Sequence, residues 1–434
     1  MTESYIALLP ISAVLFGLIA IRIPIALAMA LSGFGAVIWK IGAGPAWSLI
    51  ETIPIRLVTN YDLGVIPFFL IMGTVAARSD LSRELFAAAA AWMGHLRGGL
   101  SVATLTACAG FSAICGSSVA TAASMSKIAV PEMRRFGYSP RASIGAVAAG
   151  GTLGILIPPS VALAVYAILT QQDIGALLIA GILPGLLALT LYIVAAVLWA
   201  RLDPAGLPRG ERTGYGDRLC ALRKVWAILA IFAAIVGGIY AGVFTPTEAA
   251  SVGAVATIVL GFVRRRLDWW GLIQALSEAV RGAADIYLIL IGAFILNIAL
   301  TLYQIPQSLV AQIATSGLSP GASLALIIAF YLILGCVLDA MAMVTLTIPI
   351  VYPIVTAIGV DPIWFGILIV CVVELALITP PIGMNLFVIK TAFPEYPLVD
   401  AYAGVIPFIL ADIARLGLIL VVPAIATVLP EAMN

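Results

Sequence analysis

The chain has 434 residues, of which 63% are hydrophobic and 10% charged. Soluble domains are roughly 45–50% apolar and about 25% charged, so the composition predicts an all-α polytopic membrane protein. The net charge is +1, and the basic residues lie in short loops, which indicates no nucleic-acid partner. The chain also contains no Gly-x-x-x-x-Gly-Lys-Ser/Thr loop for ATP, so any transport would draw on an ion gradient or a partner.

Apolar stretches of the length that a bilayer requires, about 20 residues, recur along the whole chain. They predict spans at residues 5–21, 24–39, 62–77, 142–170, 174–200, 225–242, 246–263, 284–303, 363–391 and 399–422. Two more stretches, residues 99–130 and 321–357, are too long for one helix and have a polar or glycine-containing middle. We interpret these two as re-entrant hairpins, which enter and leave the membrane on the same side.

The segments that precede the two hairpins differ from the spans. Residues 81–97 alternate charged and apolar side chains, which is typical of an amphipathic helix in the membrane interface, here the cytoplasmic one. Residues 305–317 carry few charges and fit the outer face. Both are predicted to be arms that connect a moving bundle to a fixed frame, and plain connecting loops are the alternative.

The distribution of basic residues predicts the topology. Clusters at Arg78, at Arg97, at Arg134, in residues 201–224 and in residues 264–266 all fall on one side of the predicted spans, which is then cytoplasmic. Residues 1–200 form a first repeat of five spans plus a hairpin, residues 201–224 a cytoplasmic linker, and residues 225–434 a second repeat. Because five is odd, the second repeat is inverted and both termini are periplasmic.

A repeat at a fixed offset of 222 residues supports this division. Five residues of the first half have identical counterparts in the second half at this offset: Pro131, Gly137, Pro140, Pro158 and Pro159 correspond to Pro353, Gly359, Pro362, Pro380 and Pro381. Proline and glycine specify helix starts, breaks and turns. Matched interruptions of hydrophobic segments in two repeats indicate the binding site of a secondary transporter.

Each repeat pairs a polar hairpin tip with a helix that a Pro-Pro pair interrupts. The tips are Gly116-Ser117-Ser118 and Asp339-Ala340-Met341, and the broken helices are residues 142–170 and 363–391. Proline frees carbonyl groups, which suit a sodium ion, while the N-termini of half-helices suit an anion. The alternative is that each Pro-Pro pair only kinks its helix and that small residues only permit close packing.

Charged residues inside the apolar spans are few. Asp339 and Glu374 lie at the second tip and in the second broken helix, and at least one of them is expected to contribute to ion binding.

Other polar residues have less direct roles. Thr245 with Glu248 predicts a capping box, and no arginine is identified as a core substrate contact. His95, the only histidine, lies on the arm, which excludes a histidine proton relay. The five scattered cysteines indicate no metal or disulfide site.

Four ordered motifs resemble the large membrane subunit of TRAP transporters, the tripartite ATP-independent periplasmic systems of bacteria and archaea. They are GSSVATAA at 116–123, GTLGILIPPS at 151–160, TPTEAA at 245–250 and ELALITPPIGMN at 374–385. The resemblance covers essentially the whole chain. It implies an elevator-type fold of the ion-transporter superfamily, no enzymatic activity, and no cofactor beyond Na⁺ as coupling ion.

Carried onto this sequence, the resemblance implies two sodium sites with substrate between the tips. The first sodium site comprises Gly116, Ser117, Ser118, Gly151, Thr152 and Gly154. The second comprises Asp339, Ala340, Met341, Thr379 and Pro380. The substrate site comprises Ser117, Ser118, Pro158, Pro159, Thr379, Pro381 and Asn385.

The implied function is sodium-coupled uptake of an organic acid across the bacterial or archaeal inner membrane. The implied partners are a periplasmic binding protein that delivers the substrate and a small four-helix membrane subunit, expected as a separate chain. An autonomous sodium/carboxylate symporter of the same superfamily, without a binding protein, is the alternative. Two further alternatives are an intramembrane enzyme and a passive channel. An enzyme would need a nucleophile–base pair or metal ligands inside the membrane, and the single peripheral histidine and the scattered cysteines argue against it. A channel would be distinguished by its failure to take up substrate against a concentration gradient.

Overall fold

The computed structural model describes residues 2–335 and 338–433, and within these ranges the regular structure is entirely helical. The first repeat contains twelve α-helices: α1 (Thr2–Ala20), α2 (Ile25–Ile41), α3 (Ala43–Ile50), α4 (Ile53–Val58), α5 (Val65–Arg78), α6 (Leu81–Met93), α7 (Gly99–Cys115), α8 (Ser118–Arg135), α9 (Pro140–Thr152), α10 (Val161–Thr170), α11 (Ile174–Ala180) and α12 (Ile182–Leu202). Short 3-10 turns at Asp62–Gly64 and Leu153–Ile155 precede α5 and follow α9.

The second repeat continues the helical pattern. Its helices are α13 (Tyr215–Tyr240), α14 (Pro246–Val263), α15 (Trp269–Leu302), α16 (Ile305–Thr315), α17 (Pro320–Gly335), α18 (Ala340–Ala357), α19 (Pro362–Ile378), α20 (Met384–Ala392), α21 (Leu398–Val421) and α22 (Ala424–Glu431). The prediction of an all-α polytopic fold is confirmed. Six helical segments of the described chain are long and apolar enough to cross a membrane alone, and the remaining predicted spans lie in shorter apolar helices.

Helix boundaries repeat at the 222-residue offset found in the sequence. Shifted by this offset, α8 falls on residues 340–357, which are the bounds of α18, and the first residue of α9 falls on that of α19. Gly137 and Gly359 both adopt a positive φ, +79° and +77°, in the turns that precede these helices. The two halves therefore share their local backbone structure as well as their residues.

Side-chain caps explain where several of these helices begin. Ser139 accepts a hydrogen bond from Ala142 N at 3.2 Å, and Asp361 accepts one from Trp364 N at 2.7 Å, each with proline at the first helical position. At α14, Thr245 and Glu248 form the predicted capping box, with distances of 3.3 and 2.9 Å. These starts depend only on neighbouring residues, which is why the sequence predicts them.

Other boundaries differ from the sequence-based expectation. The predicted span 284–303 is the second half of α15, which has 34 residues and begins at Trp269. The predicted linker 201–224 ends early, because α13 begins at Tyr215. Helices α3, α4 and α22 were not predicted. Charged and tryptophan residues mark the edge of the apolar zone, and the helices simply continue past it, since helical hydrogen bonding does not require a lipid environment.

The helices pack in two groups. We call α1, α2, α5, α13, α14 and α15 the frame, within which α15 packs along α2 and α5, and α14 packs on α5. We call α7–α12 and α17–α22 the hairpin bundle. The arm helix α6 packs on both α13 and α7, and α16 packs on both α15 and α18, so each arm touches both groups. The two halves interlock, since α10 packs on α18 and α20 packs on α8.

Candidate functional site

The first hairpin tip turns tightly against the first helix break. Helix α7 ends at Cys115, Gly116 adopts a φ of +65°, and Ser117 caps α8 by accepting from Ala120 N at 3.4 Å. A Cβ atom on Gly116 would lie 2.7 Å from the carbonyl oxygen of Pro159, closer than any real Cβ contact. Glycine is therefore required both by the backbone conformation and by the neighbouring break.

The first break separates α9 from α10 and is fully buried. Helical geometry is lost at residues 156–160, where the Pro158-Pro159 peptide bond is cis, and Ser160 restarts the helix by accepting from Leu163 N at 3.2 Å. A Cβ on Gly154 would lie 2.6 Å from Ser117 O, so the backbone of the break touches the backbone of the tip. Three predicted features, tip, break and glycine spacing, thus meet at one place.

Thr152 differs in its orientation from what a ligand at the tip would need. Its hydroxyl donates to Ala149 O at 2.8 Å and lies 3.1 Å from the hydroxyl of Tyr192 on α12. The side chain therefore faces a polar network on the other side of α9. Of the residues predicted around the first tip, Thr152 can contribute only its backbone there.

The second tip has the same design with an acidic cap. Asp339 precedes α18, and its Oδ2 accepts from Met341 N at 3.1 Å and from Ala342 N at 3.4 Å. Residues 336 and 337, just before the tip, lie outside the described residues. The capping role uses one carboxylate oxygen and leaves Oδ1 for another partner.

The second break, residues 379–383, separates α19 from α20, and the peptide bond between its two prolines is again cis. Thr379 donates to Leu375 O at 2.6 Å, and Tyr402 donates to the carbonyl of Pro381. Unlike Pro158 and Pro159, Pro380 and Pro381 are exposed at the surface of the chain. The two breaks thus have similar backbone geometry, but the first is buried and the prolines of the second are exposed.

Asn385 connects the second break to the first tip. Its side chain is buried. Its Oδ1 accepts a hydrogen bond from Ser118 Oγ at 3.0 Å, and its Nδ2 lies 2.8 Å from Ser118 Oγ and donates to Ala148 O at 3.2 Å. Ser118 and Asn385 are 267 positions apart in the chain. The two repeats therefore meet directly through a pair of polar residues that the sequence had placed in the substrate site.

One cavity of about 120 Å³ is lined by both tips. It contains the tip residues Gly116, Ser117, Ser118, Asp339, Ala340 and Met341, with Val119, Ile155, Val161, Leu377, Met384 and the frame residues Leu70 and Ile286. The predicted residues Gly151, Thr152, Gly154, Pro158, Pro159, Thr379, Pro380, Pro381 and Asn385 do not line it. Pockets for organic ligands are usually about 300–1000 Å³, so a cavity of this volume has room for ions and water only.

The donors around this cavity suit a hard cation with few formal charges. The lining residues that carry side-chain oxygens are Ser117, Ser118 and Asp339, and the other lining residues are apolar. Within the described ranges no cluster of three His, Cys, Asp or Glu residues could hold a metal ion. Such oxygens fit sodium better than zinc or copper, which prefer nitrogen and sulfur.

A second buried polar centre was missed in the sequence. Arg415 on α21 is fully buried; its Nη1 donates to Glu374 Oε2 at 2.6 Å, and its Nη2 lies 2.9 Å from Asp412 Oδ1. Asp412 Oδ2 accepts from Tyr192 at 2.6 Å, which continues the network to Thr152. This buried arginine was not identified from the sequence. Because Arg415 does not line the tip cavity, the expectation that no core arginine contacts the substrate stays a prediction. The signal was present as Asp412 and Arg415, one turn apart inside an apolar span.

Glu374 occupies a different place from the one proposed for it. It belongs to the Arg415 network and does not line the tip cavity, and its Oε1 has no hydrogen-bond partner in the described part of the chain. Of the two acids considered for ion binding, the structure brings Asp339 alone to the cavity.

Comparisons with known proteins agree with this architecture. Residues 12–425 match the family model described as the DctM component of tripartite ATP-independent periplasmic transporters. The chain is 38% identical over 374 residues to the C4-dicarboxylate TRAP transporter large permease protein DctM of Pseudomonas aeruginosa, covering 86% of this chain and 87% of the relative. It is 30% identical over 376 residues to the sialic acid large permease protein SiaM of Vibrio cholerae, covering 86% and 87%.

More distant comparisons extend the same result. The ectoine TRAP transporter large permease protein TeaC of Halomonas elongata is 29% identical over 427 residues, covering 96% of this chain and 98% of the relative. The crystal structure of the Alcanivorax borkumensis YdaH transporter superposes with a TM-score of 0.61 at 14% identity, covering 90% of this chain and 89% of that one, and so supports the fold alone. The family match over nearly the whole length establishes that this chain belongs to the DctM family, the large, multi-pass membrane permeases of TRAP transporters.

Proposed function

We propose that the chain carries out sodium-coupled secondary active uptake of an organic acid by an elevator mechanism. The single observation that carries the proposal is that both hairpin tips, Gly116-Ser117-Ser118 and Asp339-Ala340-Met341, line one cavity between two broken helices. Irregular backbone at membrane depth is tolerated only where it is buried in protein or lines a polar cavity. In a permease, such a place serves as the binding site for ion and substrate.

The sodium sites lie where tip and break touch. Main-chain carbonyls of Gly151–Gly154 and the hydroxyl of Ser117 or Ser118 form the first site, supported by the 2.6 Å approach of the Gly154 Cβ position to Ser117 O. The carboxylate of Asp339, with main-chain oxygens near Thr379 and Pro380, forms the second, and Leu377, just before that break, lines the same cavity as Asp339. Each site joins a hairpin to the adjacent break, so a bound cation favours the closed arrangement of that repeat.

The organic acid binds between the two sites. Ser117, Ser118 and Asn385 offer hydroxyl and amide groups, and the first residues of α8, Ser118 and Val119, line the cavity; a helix N-terminus suits a carboxylate. Pro158, Pro159, Thr379 and Pro381 shape the walls once the tips separate. The similar permeases bear the names of a C4-dicarboxylate, a sialic acid and ectoine, which agrees with a small charged organic solute.

The elevator step is a displacement of the hairpin bundle against the frame. The arms α6 and α16 are suited to this movement because each packs on both groups. A separate small membrane subunit and a periplasmic binding protein complete the assembly in the inner membrane, with both termini of this chain on the periplasmic side.

The test is transport by the chain reconstituted in liposomes with its small subunit and binding protein. An inward sodium gradient should drive accumulation of radiolabelled C4-dicarboxylate or another organic acid above its external concentration, whereas potassium should not. Uptake of free substrate without the binding protein would favour the autonomous symporter. Equilibration without accumulation under a sodium gradient would refute the proposal and indicate a passive channel.

A matched pair of variants tests the first sodium site. Ser117→Ala removes a hydroxyl that lines the cavity, and the loss of one oxygen ligand costs about 1–3 kcal/mol, or about ten- to hundred-fold in sodium affinity. Ser126→Ala removes a hydroxyl from the same helix that bonds to Ala123 O and does not line the cavity. If the two variants show the same sodium dependence of uptake, the assignment of the first site is wrong.

A further inference from the structure

Four arginines surround a second, larger cavity at the end of α12. The cavity has a volume of about 860 Å³ and is lined by Arg97, Arg201, Arg209 and Arg212 together with His95, Leu96, Val197 and Gly210. It shares no lining residue with the tip cavity and contains none of the residues assigned to ion or substrate binding. Its lining contains four guanidinium groups and no carboxylate.

The backbone forces two of these arginines together. Arg97 follows the arm α6, Arg209 lies in the connection between α12 and α13, and the two pair as an isolated antiparallel bridge. Gly210 N donates to Gly94 O at 2.9 Å and holds the same pairing. Like charges directly opposite one another on paired backbone repel, and an anion between them would relieve the repulsion that solvent screens only in part at these two exposed side chains.

The protein itself supplies no such anion. Ion pairs are formed by other arginines, such as Arg141 with Asp400 and Arg264 with Glu84, but none involves the four cavity arginines within the described ranges. Asp203, the acid nearest in sequence to Arg201, accepts a hydrogen bond from Gly206 N at 3.0 Å. Glu211, which lies between Gly210 and Arg212 in the chain, lines a neighbouring cavity instead. Four positive charges thus line one cavity without an ion-pair partner among the described residues.

The cavity continues into an apolar ridge on α12. Val194, Leu198 and Leu202 follow one another at intervals of four residues, are all exposed, and lie on the same helical face as Val197 and Arg201. In a membrane permease, an exposed apolar ridge on a long apolar helix faces lipid tails. The arginines therefore lie where the head group of a phospholipid would lie when its tails follow this ridge.

We propose that this cavity binds the head group of an acidic phospholipid with two phosphates, of the diphosphatidylglycerol class. Basic pockets at the ends of membrane helices, on the side that positive residues mark as cytoplasmic, bind such head groups. Arginine suits phosphate because its planar fork donates two parallel hydrogen bonds. The bound lipid neutralises the Arg97–Arg209 repulsion and connects the arm, the end of α12 and the connection between the two repeats.

The test uses the purified full chain in detergent and native mass spectrometry with tetraoleoyl cardiolipin, phosphatidylglycerol and phosphatidylcholine as probes. Cardiolipin should bind most tightly and phosphatidylcholine not at all. Arg97→Gln/Arg212→Gln should weaken cardiolipin binding about twenty-five-fold, since each arginine near the membrane surface is worth about five-fold. Arg223→Gln/Lys224→Gln removes the same charge from exposed positions on α13 outside the cavity, and should leave binding unchanged.

Three results would overturn the proposal. Equal binding of all three lipids would show that the head group is not recognised. Equal loss in both double variants would show that net charge alone attracts the lipid. Competition by glycerophosphate at the affinity of cardiolipin would show that the cavity binds a soluble anion. A second cavity variant, Arg201→Gln/Arg209→Gln, repeats the measurement if the first does not yield a monodisperse protein.

Discussion

The buried arginine of α21 should be among the most sensitive positions of the hairpin bundle. Replacing Arg415 with methionine keeps an unbranched side chain and removes the charge. Glu374 and Asp412, whose side chains are 0% and 1% exposed, then lose the cation that lies 2.6 and 2.9 Å from them. Both carboxylates are then buried without a cation, and the folded state must either desolvate their charge or bind a proton.

The expected cost follows from this geometry. Removing one partner from a buried ion pair costs about 3–5 kcal/mol, and we expect the upper end, about 5 kcal/mol, because one cation serves two carboxylates. The stability of a whole domain is only about 5–15 kcal/mol. Arg141→Met is the matched control, because Arg141 lies 2.8 Å from Asp400 in a pair that is 58% and 24% exposed, and such pairs contribute about 1 kcal/mol or less.

The assay is the free energy of unfolding, measured by titration of the detergent-solubilised chain with sodium dodecyl sulfate. The triple variant Arg415→Met/Glu374→Met/Asp412→Asn should recover most of the loss, since a buried ionic triad can be replaced by groups of similar volume with little net cost. Equal values for Arg415→Met and Arg141→Met would refute the reasoning from burial. A triple variant as unstable as Arg415→Met would show that packing volume, and not charge, explains the effect.

Three further predictions concern the two hairpin tips and the residues that touch them. Gly154→Ala should abolish uptake at normal membrane insertion, because its Cβ would lie 2.6 Å from Ser117 O, whereas Gly237→Ala, with open space around it, should leave uptake unchanged in the same liposome assay. Asp339→Ala and Asp361→Ala each remove a helix cap worth about 0.5–2 kcal/mol. Only Asp339→Ala should raise the sodium concentration that gives half-maximal uptake. An equal sodium dependence of uptake in the two variants would contradict the second sodium site. Asn385→Leu should lower the unfolding free energy by about 1–3 kcal/mol, since Ala148 O loses a buried donor, and an unchanged value would remove the link between the repeats.

Much of the backbone plan follows from local residues. The caps at Ser139, Thr245 and Asp361 and the two Pro-Pro breaks depend on groups a few positions away in the chain, and the structure has them where the sequence predicts them. The same holds for the two tips, which end helices at glycine or begin them at a capping side chain. The meeting of these tips in one cavity was expected from the repeat, because equivalent backbone in two related halves leads to equivalent placement.

The direction in which each polar side chain points was decided only by tertiary packing. Helix α19 is apolar around its whole circumference, so no amphipathic pattern tells which face Glu374 occupies, and the choice falls to the partner Arg415 on α21. For the same reason Thr152 turns toward Tyr192 and away from the tip. Ser118 and Asn385 meet only after the two repeats have packed together. The sequence alone determined where the helices begin, break and turn, because those events are local, whereas the polar pairs join residues from 40 to 267 positions apart and needed the assembled bundle.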